Sequence, residues 1–526
     1  MKSSTLSGAC RVCGHMNSVH QQEKCVAKGC GKKIKICGST MHYIPEEEDP
    51  NVPGWVICTL CPEHGRESKR ADYSGCPVVA KDADGNLYIA DKRSGALIAS
   101  YHFAITWGTE IHTIYVSGDE SGLRKLNASR RTAGEKIISA LIDSIDGDAL
   151  RERAETLRGM KCTVSLPAAN QAYLNMDVVG GRNYHGSIVF EDGKAWLARF
   201  RLPNHNAPPV EERNFDRRSE FATYRFLAEA AVPVPRVYDY ADDEDPSNAV
   251  GAGYILVEKL AGKPLAWHEA DQAQREKFMR QLADIYTELE KHPLGALGRL
   301  QPSSSSAGQP EVGPAFFDYD STGRAVPFGP FDNMDDYYKA LIQHKIGLIK
   351  TGEIAPSAPL DQYLVYKSLL DRLPRSEQGP FFLRHVDSRD ANFLVDPDYN
   401  ITGIIDLELA IVTAKGAAFQ SPLLLYNLRE LYHEGLSTPS EDEKRLAKIL
   451  QEETKSDELS ALVAQKLHFR VDQVIETSPE DGKPFFRVFS GWWKAATGEQ
   501  AFDWDMWYRN ALDKYGDGGF TPSTVK

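Results

Sequence analysis

The chain has 526 residues, 42% hydrophobic and 26% charged, enough for two or three soluble domains and a sizeable core. Its formal net charge of −13 argues against generic nucleic-acid binding, which needs clustered lysine and arginine against phosphate. No apolar run approaches the ~20 residues of a membrane helix. The N-terminus MKSSTLSGACRVCGH lacks the apolar centre of a secretory signal, so an intracellular protein with no membrane partner is expected.

Eight of the nine cysteines precede residue 77. Without an export signal, such clustering points to metal rather than disulfides. Cys10-x2-Cys13 and Cys58-x2-Cys61 are knuckle pairs, and Cys25-x4-Cys30 and Cys37-x4-His42 have hairpin-compatible spacing. These eight ligands suffice for two tetrahedral Zn2+ sites, with sequential and cross-braced pairings both open. His15, His64 and Cys76 are alternative ligands. A segment this small and this rich in Gly, Lys and Cys cannot bury enough apolar surface alone, so metal would supply its folding energy. A closed four-ligand site leaves no position for catalysis, which suits a structural module that docks a protein partner. Residues 1–76 are therefore expected to be a zinc-binding module.

From Pro77 to Ser117 short apolar runs alternate with Asp-Ala-Asp-Gly and Arg-Ser-Gly turns, a strand pattern. Residues 131–159 carry Ile137, Ile138, Leu141, Ile142 and Ile145 at helical spacing. Residues 77–170 are read as an α+β segment of no recognised type. Tyr173 to Val179, Gly186 to Glu191 and Ala195 to Arg201 read as three successive strands. Gly180 and Gly181 lie in the loop between the first two. Glycines there suit either a plain hairpin or a loop whose amides approach phosphate. Residues 219–227 read as a helix, with Glu220 in its first turn. Phe278, Leu282, Ile285 and Leu289 mark an amphipathic helix. Residues 301–309 read as a flexible loop, and the aromatic tail around Trp492, Trp493, Trp504 and Trp507 as a packed helical cap.

The densest chemistry lies between Phe381 and Ala410, FFLRHVDSRDANFLVDPDYNITGIIDLELA. Asp387 follows His385 by two residues, and Asn392 follows Asp387 by five. Two strand-like runs then flank the turn Asp396–Asn400 and lead to Asp406. If the runs pair, Asp406 returns to the end where Asn392 left. Each residue alone would fit a solvated loop before an ordinary hairpin, but the ordered set fits phosphoryl transfer. There the protein positions a nucleotide and holds Mg2+. Asn392 and Asp406 offer the hard oxygen ligands magnesium takes, and Asp387 can accept a proton from an attacking hydroxyl.

This stretch resembles the aminoglycoside phosphotransferase group of the protein-kinase-like fold, especially its fungal members. Those carry His-Gly-Asp-x4-Asn followed by Ile-Asp-Trp-Glu. Here Val386 stands for the Gly, Leu407 for the Trp and Arg389 for a frequent second His, with Glu408 retained. The resemblance runs over roughly residues 172–430, including Trp196-Leu197-Ala198-Arg199-Phe200, Val232–Tyr238 and Tyr254–Gly262. It implies that Arg199 meets the nucleotide phosphates and pairs with Glu220. Arg201, on the same face, is a competitor for that role. It also implies that backbone near Glu258 to Leu260 binds adenine.

The expected architecture is α+β: a bilobal kinase-like domain over 171–526, with an N-lobe at 171–262 and a C-lobe at 263–526. The zinc module and the short α+β segment precede it. The expected activity is ATP- and Mg2+-dependent phosphorylation of a small-molecule hydroxyl, with His385 bracing the loop and Glu408 supporting Asp406 or facing substrate. The alternative is a pseudokinase-type nucleotide- or partner-binding protein with a zinc docking module. A protein kinase is disfavoured because Asp-Phe-Gly and Ala-Pro-Glu signatures are absent from the sequence.

Overall fold

A computed structural model describes residues 132–520 apart from 133, 174, 176–177, 181, 204–207, 304–308, 320–323, 353, 355–357, 374–377, 437 and 465. Before residue 117 it describes the backbone of short strands. These include Pro77–Lys81, Leu87–Asp91, Tyr101–Trp107 and Glu110–Val116, in the stretch expected to form strands. They share one seven-stranded sheet with strands from below residue 77. Ser4–Ser7 pairs with Tyr101–Trp107, and Trp55–Ile57 pairs with Pro77–Lys81, so this sheet crosses the boundary expected at residue 76.

The helix expected over 131–159 is two helices, residues 134–143 and Gly147–Arg158 (α1). Asp146 makes the break, its side chain accepting the Ala149 N–H at 2.9 Å as an N-cap. Apolar periodicity continues through the break, which is why the pattern alone read as one helix.

The first lobe is an antiparallel sheet of β1 (Cys162–Ser165), β2 (Asn183–Phe190), β3 (Ala195–Arg201), β4 (Val237–Ala241) and β5 (Tyr254–Glu258), in the order β1-β2-β3-β5-β4. Side chains alternate across each strand. Trp196, Ala198 and Phe200 of β3 enter one core with Leu150 and Ala154 of α1, so Arg199 and Arg201 point to the opposite face. On that face lies α2 (Val210–Glu229), whose Ala222, Tyr224 and Phe226 share a core with Ile255 and Val257.

Two expectations are corrected here. The described residues of 173–179 do not form a strand: a short helix at Ala169–Ala172 is followed by turns at Val178 and Val179, whose N–H groups both donate to the Asn175 carbonyl. The apolar residues of this stretch have strand propensity, but among those described only Val179 makes a bridge, to Tyr184. The real neighbour of β2 is β1, so the boundary expected at residue 170 cuts through the lobe. Helix α1 belongs to it as well, through the Arg153–Asp239 and Arg158–Asp192 ion pairs at 2.7 and 2.6 Å.

The second lobe begins at α3 (Gln272–Leu289), capped by the reciprocal Asp271 and Gln274 bonds. Two hairpins follow, β6 (Arg299–Gln301) with β7 (Glu311–Gly313) and β8 (Phe316–Tyr319) with β9 (Ala325–Phe328). Then come α4 (Met334–Thr351) and α5 (Pro359–Leu370). Strand β10 (Phe381–Arg384) pairs with β13 (Ile411–Ala414), and β11 (Phe393–Val395) with β12 (Ile401–Ile404). The C-terminal part includes α6 (Leu428–Glu434), α7 (Lys483–Thr497) and α8 (Trp504–Tyr515). The aromatic tail packs inward: Phe489, Trp492 and Trp507 are buried, and the Phe489 and Trp507 rings lie 4.6 Å apart. Among the described residues, no helix is long and apolar enough to cross a membrane.

Helices α6 and α7 meet backbone to backbone where Gly435, in the left-handed cap of α6, faces Gly491. A Cβ on Gly491 would sit 1.7 Å from the Gly435 carbonyl oxygen, so the backbone itself would have to move. Gly491→Ala should destabilise the protein by about 1–3 kcal/mol, the usual range for overpacking. Equilibrium denaturation will check this, and parent-like stability would contradict the close approach.

Candidate active site

The hairpin between β11 and β12 brings distant residues together. Asp396 closes its turn by accepting the Asp398 and Asn400 N–H groups, each at 2.9 Å. Phe393 pairs with Ile404, and the Ile405 N–H donates to the Asn392 carbonyl at 3.0 Å. Asp406 therefore follows directly on a residue bonded to Asn392. The Asn392 side chain is buried and donates to both the Asp387 carbonyl (2.7 Å) and its Oδ2 (3.2 Å). That use of the amide nitrogen leaves the Asn392 Oδ1 oriented as an acceptor-type ligand.

Asp387 is half-exposed and lies 3.1 Å from Nε of Arg389, which is 58% exposed. His385 bonds the Ile405 backbone, and burial pushes its imidazole down to about 4. It is neutral at pH 7 and ties the Asp387 loop to the segment carrying Asp406. Val386 is not among the residues with positive φ, so the loop makes no demand for the glycine usual in the resembled family. Asp406 itself has φ 63°, an uncommon conformation for a non-glycine residue and one that clusters at functional sites.

Arg199 of β3 forms a buried ion pair with Glu220 of α2. Burial opposes the charge on both groups, and each stabilises the other's. Arg201 does not share that partner. Its Nη1 lies 2.8 Å from Glu408 Oε2 and its Nη2 lies 3.6 Å from Asp216 of α2. Glu408 also receives Asn183 (3.4 Å), the first residue of β2, and faces Arg182 (3.6 Å), just before it. Its carboxylate is thus held by arginines of the first lobe. Burial pushes it up, yet Arg201, Arg199 and Arg182 outweigh that and hold it below the usual range.

Gly180 lies in the loop that carries Arg182 and Asn183, its N–H donating to the Asn183 carbonyl at 3.0 Å. A Cβ there would meet nothing within 4 Å, so packing within the chain does not require glycine. Gly181 lies outside the described residues. At the expected adenine segment, the Glu258 N–H donates to the Arg236 carbonyl and the Lys259 N–H to the Ala195 carbonyl. The segment is stitched to the hairpin: Thr402 Oγ1 donates to the Ala261 carbonyl at 2.7 Å. Gly262, at φ 115°, lets that approach happen, since a Cβ would sit 2.3 Å from Thr402 Oγ1.

Asp406 is a partly buried acid in a negative setting. Burial, then the charges of Glu408 and Asp387, push its carboxyl up, while Arg199 and Arg389 pull it down. A carboxylate raised in this way fits a hard divalent cation, which would restore its ionised form. Asn392 and Asp406 would hold magnesium there. For zinc, Cys10, Cys13, Cys25, Cys30, Cys37, Cys58, Cys61 and the His42 side chain lie outside the described residues. Among the described residues, no group of three or more His, Cys, Asp or Glu side chains is placed to hold a metal.

The sequence reading missed Arg182, Asn183, Asp216 and Arg299. Arg182 and Asn183 lie in the candidate glycine loop but carried no assigned role, and the bonds of Asn183 to Glu408 and of Arg299 to Asp216 and Glu408 span 83 to 225 residues, so local spacing carried no signal for them.

Residues 190–413 match the family model described as the phosphotransferase enzyme family, a span that includes Arg199, Glu220, Asp387, Asn392 and Asp406. The matched stretch is somewhat under half of the chain. No curated protein matches the chain. Among solved structures, the chain is similar to ADP-bound aminoglycoside phosphotransferase APH(2'')-Ib, with 12% identity over 66% of this chain and 99% of that one and a TM-score of 0.38. It is also similar to a candidate fructosamine-3-kinase from Thermobifida fusca, with 16% identity, 65% and 98% coverage and a TM-score of 0.39. A third is APH(2'')-IIa in its ternary complex with streptomycin and ATP, with 12% identity, 65% and 97% coverage and a TM-score of 0.36.

The lowered His385 pKa sets a pH window. The unfolded imidazole titrates near 6.5 and the folded one at about 4, so between these values the unfolded chain binds more protons. This contribution is complete above about pH 6.5 and is lost as pH falls toward 4, by on the order of 3 kcal/mol. His385→Gln should flatten the loss of stability across that window. Denaturation profiles of parent and variant that fall in parallel from pH 6.5 to 4 would contradict it.

Proposed function

We propose that the phosphotransferase-family domain binds ATP with Mg2+ and transfers the γ-phosphoryl group to a hydroxyl of a small molecule. The observation that carries this reading is the meeting of Asp387, Asn392 and Asp406 at the open end of one hairpin, opposite its Asp396 turn. The Arg199–Glu220 pair, whose charges bear on Asp406, adds support. Asp387 orients the acceptor hydroxyl and takes its proton. The acceptor oxygen bonds to the γ-phosphorus as the bridging oxygen leaves with ADP, so the charge ends on the diphosphate and the proton on Asp387. Arg199, fixed by Glu220, grips the phosphates with a planar guanidinium rather than a point charge. Asn392 and Asp406 would hold magnesium, whose charge would offset that of the triphosphate. The backbone of Glu258 to Leu260 takes adenine, and the loop of Gly180 and Gly181 covers the phosphates.

One observation favours the alternative, a nucleotide- or partner-binding protein without turnover. Arg389 pairs with Asp387, and that pair must open before the carboxylate can act as a base. Asp387→Asn separates the two readings: it should keep ATP–Mg2+ binding and lower turnover by roughly two to four orders of magnitude. Asp406→Ala should abolish magnesium-dependent ATP binding. Turnover of the Asp387→Asn protein within a few-fold of the parent removes that residue from its role. Unchanged ATP–Mg2+ affinity in Asp406→Ala, measured by calorimetry, overturns the phosphotransfer reading itself.

The cysteine-rich segment belongs to the same proposal, as a structural module with two zinc sites that docks a protein partner inside the cell. Its support is the spacing of Cys10, Cys13, Cys25, Cys30, Cys37, His42, Cys58 and Cys61. Purified protein should contain about two zinc ions per chain, since each tetrahedral site takes four ligands. Chelation should unfold that segment while ATP binding persists. Elemental analysis finding less than one zinc per chain denies the sites.

A further inference from the structure

Arg299 takes no part in the chemistry above, yet it touches both elements that the chemistry needs. It lies on β6, 7% exposed. One terminal nitrogen of its guanidinium pairs with Asp216 Oδ1, and the other donates to the Glu408 carbonyl at 2.6 Å. Asp216 stands one helical turn before Glu220 on α2, so the two share a face. Glu408 stands two residues after Asp406. The guanidinium also lies 5.2 Å over the ring of Phe215. Three further residues of β6 and β8 contact the same half of α2. Phe317 meets Phe215 edge-on at 4.8 Å, Gln301 Nε2 donates to the Phe215 carbonyl at 3.3 Å, and the Tyr319 hydroxyl donates to Glu212.

We propose that Arg299 is a positioning residue that sets the distance between Arg199 and Asp406. It does so by holding α2 through Asp216 and the Asp406–Glu408 segment through the Glu408 carbonyl. A buried ion pair is weak evidence for stability, because a well-packed apolar pair is often as stable. What an apolar pair cannot do is bond a carboxylate and a carbonyl at once. Two diverging N–H groups on one rigid plane do this, and a lysine offers no such fork. The consequence for turnover rests on the phosphotransfer reading; the consequence for the geometry does not.

The test compares Arg299→Met, Arg299→Lys, Glu220→Gln and the Arg299→Met/Glu220→Gln double variant in the full chain. Arg299→Met should weaken ATP–Mg2+ affinity about tenfold and lower kcat at least tenfold, with acceptor KM unchanged. Arg299→Lys should recover only part of this. In the Glu220→Gln background, Arg299→Met should add little, since both act through Arg199. A variant that loses melting temperature but keeps parent ATP–Mg2+ affinity and kcat overturns the proposal, as do effects that simply multiply with those of Glu220→Gln. Should Arg299→Met fail to fold, Arg299→Lys carries the same comparison. Should the parent bind no ATP–Mg2+, the phosphotransfer reading fails first, and hydrogen exchange decides on Arg299. Faster exchange in both the first half of α2 and residues 405–410 of the variant supports it, and unchanged exchange in either overturns it.

Discussion

Charge balance in the cleft is the constraint on which the rest of this site depends. Arg199, Arg201 and Arg299 are largely removed from water, and so are Glu220, Glu408 and Asp216. Leaving any of these charges unpaired in such surroundings would cost several kcal/mol. The six form one compensated set, and they come from β3, α2, β6 and the segment after β12. Because opposite charges must meet, these elements have to dock in one arrangement. The arrangement then leaves Asp406 without a full partner, with its carboxyl pushed up by burial and by neighbouring acids. Under the proposed function, a cation bound there would offset that excess of negative charge.

Around that set, backbone geometry does the aiming. The Asp396 turn closes β11 on β12, the Ile405 N–H bonds the Asn392 carbonyl, and His385 bonds back to Ile405. Asn392 in turn holds Asp387 by its carbonyl and its carboxylate. The Asp387 loop and the Asp406 segment are therefore one hydrogen-bonded unit rather than two loops that happen to be close. Such cross-bonding keeps a carboxylate in one orientation without covering it, which suits a group that must meet an acceptor. The segment from Glu258 to Gly262 is fixed to the same hairpin through Thr402, so the expected adenine and metal positions are referenced to a single rigid element.

How much of this could be read beforehand depended on the range of the interaction. The hairpin, its turn and the order His385, Asp387, Asn392, Asp406 were legible because strand pattern and turn chemistry are local. The pairing of Arg199 with Glu220 was legible only through the resemblance, since nothing in composition links a strand to a helix 21 residues on. The apolar stretch at Tyr173–Val179 misled because propensity favours a strand while the local hydrogen bonds of Asn175 close turns. The split of the 131–159 helix was hidden because one capping aspartate breaks the backbone without breaking the apolar period.

The sequence by itself determined many of the elements, the hairpin of β11 and β12 and the order of Asp387, Asn392 and Asp406 around it. Those follow from nearest-neighbour physics: alternation on strands, caps on helices, and Asp and Asn in turns. Only the tertiary structure decided which arginine met which acid. Arg201 was a candidate for the phosphates by its position on β3, and it is Glu408 that claims it. Arg299 had no visible role until β6 was docked beside α2. Burial makes these choices, because desolvated charges must find partners wherever the fold brings them, and sequence distance does not enter that energy.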